Sequence, residues 1–238
     1  MKKFSLILLA VLLFAACEKD TENQYTLKRL ASIEEYSADG KTARVSSYAY
    51  NDSGYVISTT LNGSLESVSS ISYEGNREIQ VDSLVTEGVL QPSQTITVYY
   101  SDSYRNQIDS ILVTNPAGEV TQVDDYTYDG NFTTIVSYVS GVKNTMKVVY
   151  SYFSTISTTT YTYDTEADDW KYVSKEETST SYDYDLTIVT TLLNGVPSEK
   201  TVYQTFGHKV DFKHYSTPDG STVTLTSYGS YIYETIQL

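Results

Sequence analysis

Cysteine, histidine, helical periodicity and long apolar runs are all scarce in this chain, and each scarcity excludes something. One cysteine in 238 residues rules out an intrachain disulfide, so packing and hydrogen bonds alone must hold the fold. The only histidines, His208 and His214, lie six residues apart, about 20 Å along a strand, too far to share a metal ion. Basic residues number 16 against 30 acidic, a net charge of −14. Such a surface repels phosphate backbones, which excludes nucleic acid as a partner. Past Lys19 no window carries apolar residues at helical spacing over three turns. The longest apolar run, Leu6 to Ala16, is shorter than the ~20 residues of a spanning helix. There is no G-x-S-x-G elbow, no H-E-x-x-H and no glycine-rich phosphate loop. Paired glycosidase carboxylates leave no fixed sequence spacing, so a carbohydrate-active hydrolase stays open as a minor reading.

The N-terminus carries its own signal. Lys2 and Lys3 precede the apolar run in MKKFSLILLAVLLFAACEKD, the layout of a secretory signal peptide. The run stops at Leu13-Phe14-Ala15-Ala16-Cys17. This arrangement resembles a bacterial lipobox, with Phe14 where Leu, Val or Ile is more usual. The resemblance implies cleavage before Cys17 and lipidation of its thiol, with palmitate among the acyl chains, and therefore a membrane partner through the N-terminal anchor. The alternative is an ordinary signal peptide cut after Phe14-Ala15-Ala16. Glu18, not Asp, follows the cysteine, and Glu18 to Asn23 is polar and mostly acidic. These residues resemble the tethers of surface lipoproteins, which implies the outer membrane of a Gram-negative bacterium, with the cell surface as the further reading. The expected organisation is a signal peptide over 1–16, a tether over 17–25 and one β-domain over 26–238.

What the chain has in abundance is tyrosine, 24 residues of it, with Thr, Ser, Val and Ile, the types that suit a pleated surface. Turn pairs interrupt it at short intervals: Asp39-Gly40, Ser53-Gly54, Asn62-Gly63, Glu74-Gly75, Glu87-Gly88, Ala117-Gly118, Asp129-Gly130, Ser140-Gly141, Asn194-Gly195 and Asp219-Gly220. Glycine and asparagine tolerate the positive φ of tight hairpin turns. Three segments are variants of one unit: SYAYNDSGYVISTTLNG (47–63), DYTYDGNFTTIVSYVSG (125–141) and SYDYDLTIVTTLLNG (181–195). Each has a Tyr-x-Tyr strand end, an Asp/Asn corner, a Thr/Val/Ile return strand and a turn ending in Gly. Looser copies begin at Tyr73, Tyr99, Tyr150, Tyr161, Tyr203 and Tyr231, a period of about 20–27 residues that signals a repeat architecture.

These units resemble the YD repeats of Rhs-type proteins, which centre on Tyr-x-Tyr-Asp-x-x-Gly. Tyr48-Ala49-Tyr50-Asn51-Asp52-Ser53-Gly54 is nearest, with a residue inserted before the Asp. Tyr126-Thr127-Tyr128-Asp129-Gly130 shortens the gap to Gly. Tyr161 to Asp164 and Tyr182 to Asp185 keep the first half of the motif. The resemblance implies a scaffold or shell of stacked hairpins without catalysis. From both lines the expected fold is all-β, an antiparallel meander of about 15 strands forming one elongated, curved sheet.

Candidate site residues follow from breaks in the repeat. In a strand Tyr126 and Tyr128 share a face, opposite Asp125 and Thr127; recurrence of such pairs marks them as structure before function. The one tryptophan, Trp170, follows an acidic insertion, Asp164 to Asp169. Trp170 with Asp168 and Asp169 forms a candidate ligand platform, since aromatic faces stack on sugar rings; otherwise Trp170 covers one end of a sheet. The clusters Asp124-Asp125-Asp129 and Asp164-Glu166-Asp168-Asp169 do not match a calcium loop, and are expected to be solvated charges that discourage strand-edge pairing. No metal or other cofactor is expected. The expected function is a lipid-anchored, non-enzymatic envelope protein, a scaffold or binding module whose partners are glycans or another envelope protein.

Overall fold

The structure is a computed structural model that describes residues 26–40, 43–50, 56–102, 105–183, 186–217 and 221–237. The expected signal peptide, Cys17 and the tether lie outside the described residues. Sixteen strands follow one another: β1 (Thr26–Ser37), β2 (Ala43–Tyr50), β3 (Val56–Leu61), β4 (Ser64–Glu74), β5 (Arg77–Thr86), β6 (Val89–Tyr100), β7 (Ile108–Thr114) and β8 (Val120–Asp129). The second half continues with β9 (Phe132–Val139), β10 (Val142–Tyr152), β11 (Thr155–Asp164), β12 (Asp169–Asp183), β13 (Leu186–Leu193), β14 (Val196–Phe206), β15 (Lys209–Ser216) and β16 (Thr224–Gln237). Every strand pairs antiparallel with its sequence neighbours, and β16 returns to pair with β1 from Thr26↔Gln237 to Ser37↔Ser227.

That last pairing corrects the expected open sheet: the meander is a closed barrel. The physical reason lies in the bulges. Each even-numbered strand from β4 to β16 carries one unpaired residue near its start, at Glu66, Ser93, Thr121, Asn144, Val173, Ser198 and Thr226. A bulge bends its strand and raises the local twist. Repeated at the same place in hairpin after hairpin, it curls a meander until its two edges meet. Closure also removes the unpaired edges on which a long sheet would aggregate.

The three related segments fold alike. Each supplies the end of an even strand, a return strand and a tight turn: the end of β2 with β3, of β8 with β9, and of β12 with β13. At Asn62-Gly63, Glu87-Gly88, Ser140-Gly141 and Asn194-Gly195 both central residues have positive φ, the two-residue geometry whose twist matches that of the flanking strands.

Because strand directions alternate, the connections fall on two rims. The turns after β2, β4, β6, β8, β10, β12 and β14 share one rim with the first residue of β1 and the last of β16. We call it the entry rim. The turns after the odd-numbered strands form the far rim.

Directly opposed residues share a face, so the registers sort every strand into two faces. One holds Phe212, the one buried large apolar side chain among the described residues, at 2% exposure. The other holds Trp170. Neither face has an unbroken apolar band. Asp125, Lys175, Glu177 and Lys200 stand on the Trp170 face, and Glu78, Asp82, Asp124, Lys147 and Glu176 on the Phe212 face. A basic residue facing lipid at mid-membrane costs about 2–4 kcal/mol, so this wall does not fit a hydrocarbon surround on either side.

Candidate functional site

On the Phe212 face, β14, β15 and β16 bring together Tyr203, Phe212, His214 and Tyr231. Tyr203 opposes Phe212, and Val210 opposes Tyr231. Phe212 lies 4.9 Å from the Tyr231 ring and 4.7 Å from His214, and Tyr203 lies 6.3 Å from Tyr231. Gly229 makes the space, since a Cβ there would stand 2.7 Å from the Phe212 ring and 1.8 Å from the Glu34 carbonyl oxygen. Burial pushes the Tyr203, Tyr231 and Tyr233 hydroxyls up from their ordinary range. It does the same for Tyr48, for Tyr126 and for Tyr50, the last to about 12. Tyr50 also donates to the Leu30 carbonyl and lies under the Arg29 guanidinium at 4.6 Å. This enclosed group packs the wall, and its hydroxyls stay neutral.

The histidines divide as their surroundings dictate. His214 is half-buried, shares a 2.8 Å hydrogen bond with Thr201 Oγ1, and is held below its ordinary pKa by burial. His208 does not continue the strand, contrary to expectation. It sits in the turn before β15, where its carbonyl accepts from the Tyr233 amide at 2.8 Å.

The Trp170 face carries the candidate platform. At the far end of the β11–β12 hairpin, Trp170 packs edge-on against Tyr163 at 5.0 Å, and Tyr172 against Tyr161 at 6.1 Å. The bulge at Val173 shifts the register so that both pairs stand on one face. Lys143 of β10 lies over the Tyr163 ring at 5.0 Å, and Tyr172 donates to Asn194 Oδ1 at 2.6 Å. Four aromatic rings and an ammonium thus form one ledge at the far rim.

The acidic insertion builds the turn beneath that ledge. Asp164 accepts from the amides of Glu166 at 2.9 Å and Ala167 at 3.2 Å and pairs with Lys171. The bond from Lys171 first, then these amides, hold its carboxyl below the usual range. Asp168, at φ 53°, accepts a hydrogen bond from the Tyr163 hydroxyl, and that bond is the main reason the Tyr163 pKa is raised. Asp169 Oδ1 accepts the Trp170 amide at 2.7 Å. The insertion was expected to protect a strand edge. A closed barrel has no edge there, and its carboxylates order a hairpin instead.

Of the sequence-predicted platform, Trp170 and Asp168 come together through Tyr163, while Asp169 serves the backbone. In the other acidic cluster, Asp124 and Asp125 fall on opposite faces, and Gln122 Nε2 donates to Asp124 at 2.9 Å. Among the described residues no three His, Cys, Asp or Glu side chains gather as a metal-binding group.

Sequence reading missed two features of this face. A shallow hollow of about 340 Å³ opens between Phe132, Tyr150, Ser157, Thr159, Lys175 and Glu177, floored by alternate residues of four strands that no local motif links. Phe153 stands at the tip of the β10–β11 turn, 92% exposed and at φ 48°. Phe-Ser is not a turn pair, so nothing in the sequence pointed to it.

No protein-family model matches the chain, and no curated protein sequence does either. Among solved structures the barrel is similar to a porin-like protein from Bacteroides uniformis, with a TM-score of 0.53 and 12% identity over 87% of this chain and 96% of that one. A protein of unknown function from Bacteroides fragilis aligns over 73% of this chain and 92% of that one at 10% identity, but its TM-score of 0.27 is too low to equate the folds. The first likeness, at so low an identity, is one of fold.

Proposed function

We propose that the protein is a lipid-anchored, non-enzymatic component of the cell envelope whose barrel is a scaffold for a ligand-binding ledge at the far rim. The observation that carries this reading is the position of the ledge. Trp170, Tyr163, Tyr161 and Tyr172 gather on one face, at the rim opposite the one where the chain enters from Cys17. A protein tethered by its N-terminus presents that far rim outward. The similar barrel of a porin-like Bacteroides protein supports an envelope setting, and the lipobox-like Leu13 to Cys17 supports anchoring in the outer membrane. The charges on both faces favour a barrel held at the membrane over one that spans it.

Glycans are the ligand class the ledge suits best: aromatic faces stack on sugar rings, and Asp168, Lys143 and Asn194 place polar groups beside them. Trp170 intrinsic fluorescence, titrated with a broad panel of polysaccharides, should shift for at least one member; a flat response throughout sinks the glycan reading. The anchor has a separate test. Cys17→Ala should lose labelling by a clickable palmitate analogue and leave the membrane fraction, and unchanged retention would overturn the lipoprotein assignment.

A further inference from the structure

The exposed aromatic side chains are not spread evenly over the barrel. Tyr128, Phe132, Tyr152, Phe153, Tyr182 and Phe206 are all exposed, and all lie at the entry rim, at or beside the turns after β8, β10, β12 and β14. Among the described residues only Tyr172 is an equally exposed aromatic elsewhere. Beside the other far-rim turns the exposed large apolar side chains are aliphatic: Leu65, Val89, Val120, Val139, Val142 and Val196.

Phe153 adds a second observation. In the equivalent turns after β4, β8 and β14, the left-handed position is held by Gly75, Gly130 and Gly207. After β10 it is held by Phe153 at φ 48°. A side chain in that region costs roughly 1–2 kcal/mol, and Phe153 recovers little of it by burial, being 92% exposed. It makes one edge-on contact with Tyr152 at 4.4 Å. A bulky apolar residue kept in a strained, exposed position is one that something outside the described fold must favour.

We infer that the entry rim rests in the headgroup region of the membrane, with Phe153 as its deepest point. The occupant is the lipid surface because of where the chain enters. Nine residues, Cys17 to Tyr25, reach at most about 30 Å fully extended, so a lipid on Cys17 holds this rim close to the bilayer. Tyrosine suits that boundary by burying its ring while its hydroxyl stays wet, and phenylalanine buries its ring at the headgroup–acyl boundary. Valine offers neither a ring nor a polar tip, which distinguishes the far rim. The excess of acidic over basic residues, 30 to 16 in the full chain, favours zwitterionic over anionic lipid. The placement rests on the anchored reading above.

The test uses the full lipidated chain in vesicles of brominated phosphatidylcholine, whose bromines quench nearby indoles. Trp170 lies at the far end of β11 from Phe153, about 30 Å along a ten-residue strand, and reports the distal rim in the native protein. Phe153→Trp combined with Trp170→Phe moves the single indole to the tip. The double variant should lose most of its emission in brominated vesicles, and the native protein should lose almost none. Tyr152→Trp with Trp170→Phe gives the same readout if the first variant folds poorly. No quenching at either entry-rim position, or quenching of native Trp170, overturns the proposal. Mass measurement of Cys17 in the same preparations separates the two readings. A lipidated cysteine with an unquenched tip refutes rim docking alone. A quenched tip without lipid refutes the anchor and leaves the docking standing.

Discussion

The two rims of the barrel are built from the same hairpin and differ in almost every detail. Far-rim turns such as Asn62-Gly63, Ser140-Gly141 and Asn194-Gly195 put both central residues at positive φ and are flanked by Leu and Val. Entry-rim turns such as those at Gly75, Gly130 and Gly207 have one positive-φ residue each, and Tyr or Phe lies beside them. Most copies of Tyr-x-Tyr belong to strand ends that reach the entry rim, at Tyr48/Tyr50, Tyr126/Tyr128, Tyr150/Tyr152 and Tyr231/Tyr233, while Tyr161/Tyr163 ends β11 at the far rim. The far rim departs from its two-residue pattern at the longer β7–β8 turn, Asn115 to Glu119, and at the β11–β12 turn, where the insertion from Asp164 to Asp169 raises the Trp170 ledge. The entry rim departs at Phe153. A repeat makes most positions interchangeable, so its exceptions show where selection acted on something besides folding.

Substitutions can break this comparison in a definite order. The wall between the rims sets the upper scale. Gly229→Val places a Cβ against the Glu34 carbonyl oxygen and the Phe212 ring, and should lower stability by about 3 kcal/mol or more, seen as a shifted denaturant midpoint. Next comes the far rim: Gly195→Ala must hold φ 80° and should cost about 1–2 kcal/mol in the same assay. The entry rim should respond with the opposite sign. Phe153→Gly relieves the left-handed strain, partly offset by the greater freedom of glycine when unfolded, for a net gain of about 0.5–1 kcal/mol. A loss of stability in Phe153→Gly would mean that Phe153 packs on the barrel and the rims do not differ as described.

The smallest effects are in alkaline solution, and here too the rims separate. Tyr50, at the entry rim, is held up to about 12 by burial, with Arg29 opposing. An unfolded tyrosine loses its proton near pH 10. The folded state favours the neutral phenol, so its contribution to stability is complete below about pH 10 and disappears as the pH rises to about 12. Tyr163, at the far rim, is raised chiefly by its bond to Asp168. Asp168→Asn should therefore bring one tyrosine's ultraviolet titration back toward the ordinary range and leave the alkaline unfolding midpoint in place. A shift in that midpoint would show that the Asp164 to Asp169 turn supports the wall.

Much of the fold could be read from residues alone because hairpins are local. Alternating Thr, Val and Tyr between turn pairs specified strand after strand, and the three related segments specified equivalent units. Closure could not be read in the same way. The bulged residues Glu66, Ser93, Thr121, Asn144, Val173, Ser198 and Thr226 share no chemical type, so the curvature they impose leaves no motif. The ledge was half legible: Trp170 and Asp168 stood out, whereas Tyr161, Tyr163 and Tyr172 looked like ordinary members of the repeat until the Val173 bulge aligned them. Phe153 was silent, because its meaning depends on the glycines that occupy its place in other turns.

The pairing of β1 with β16 has a further consequence for how this molecule is made. All other strand pairings join neighbours in sequence, so the chain can fold hairpin by hairpin as it emerges, and one seam spans its whole length. Low contact order of that kind favours rapid assembly, with the closing of the ring as its one slow long-range step. The circumference is then a count of hairpins. Duplicating or deleting a unit changes the width of the ring and leaves the local rules of every remaining strand intact, so a lineage can resize this barrel without redesigning it.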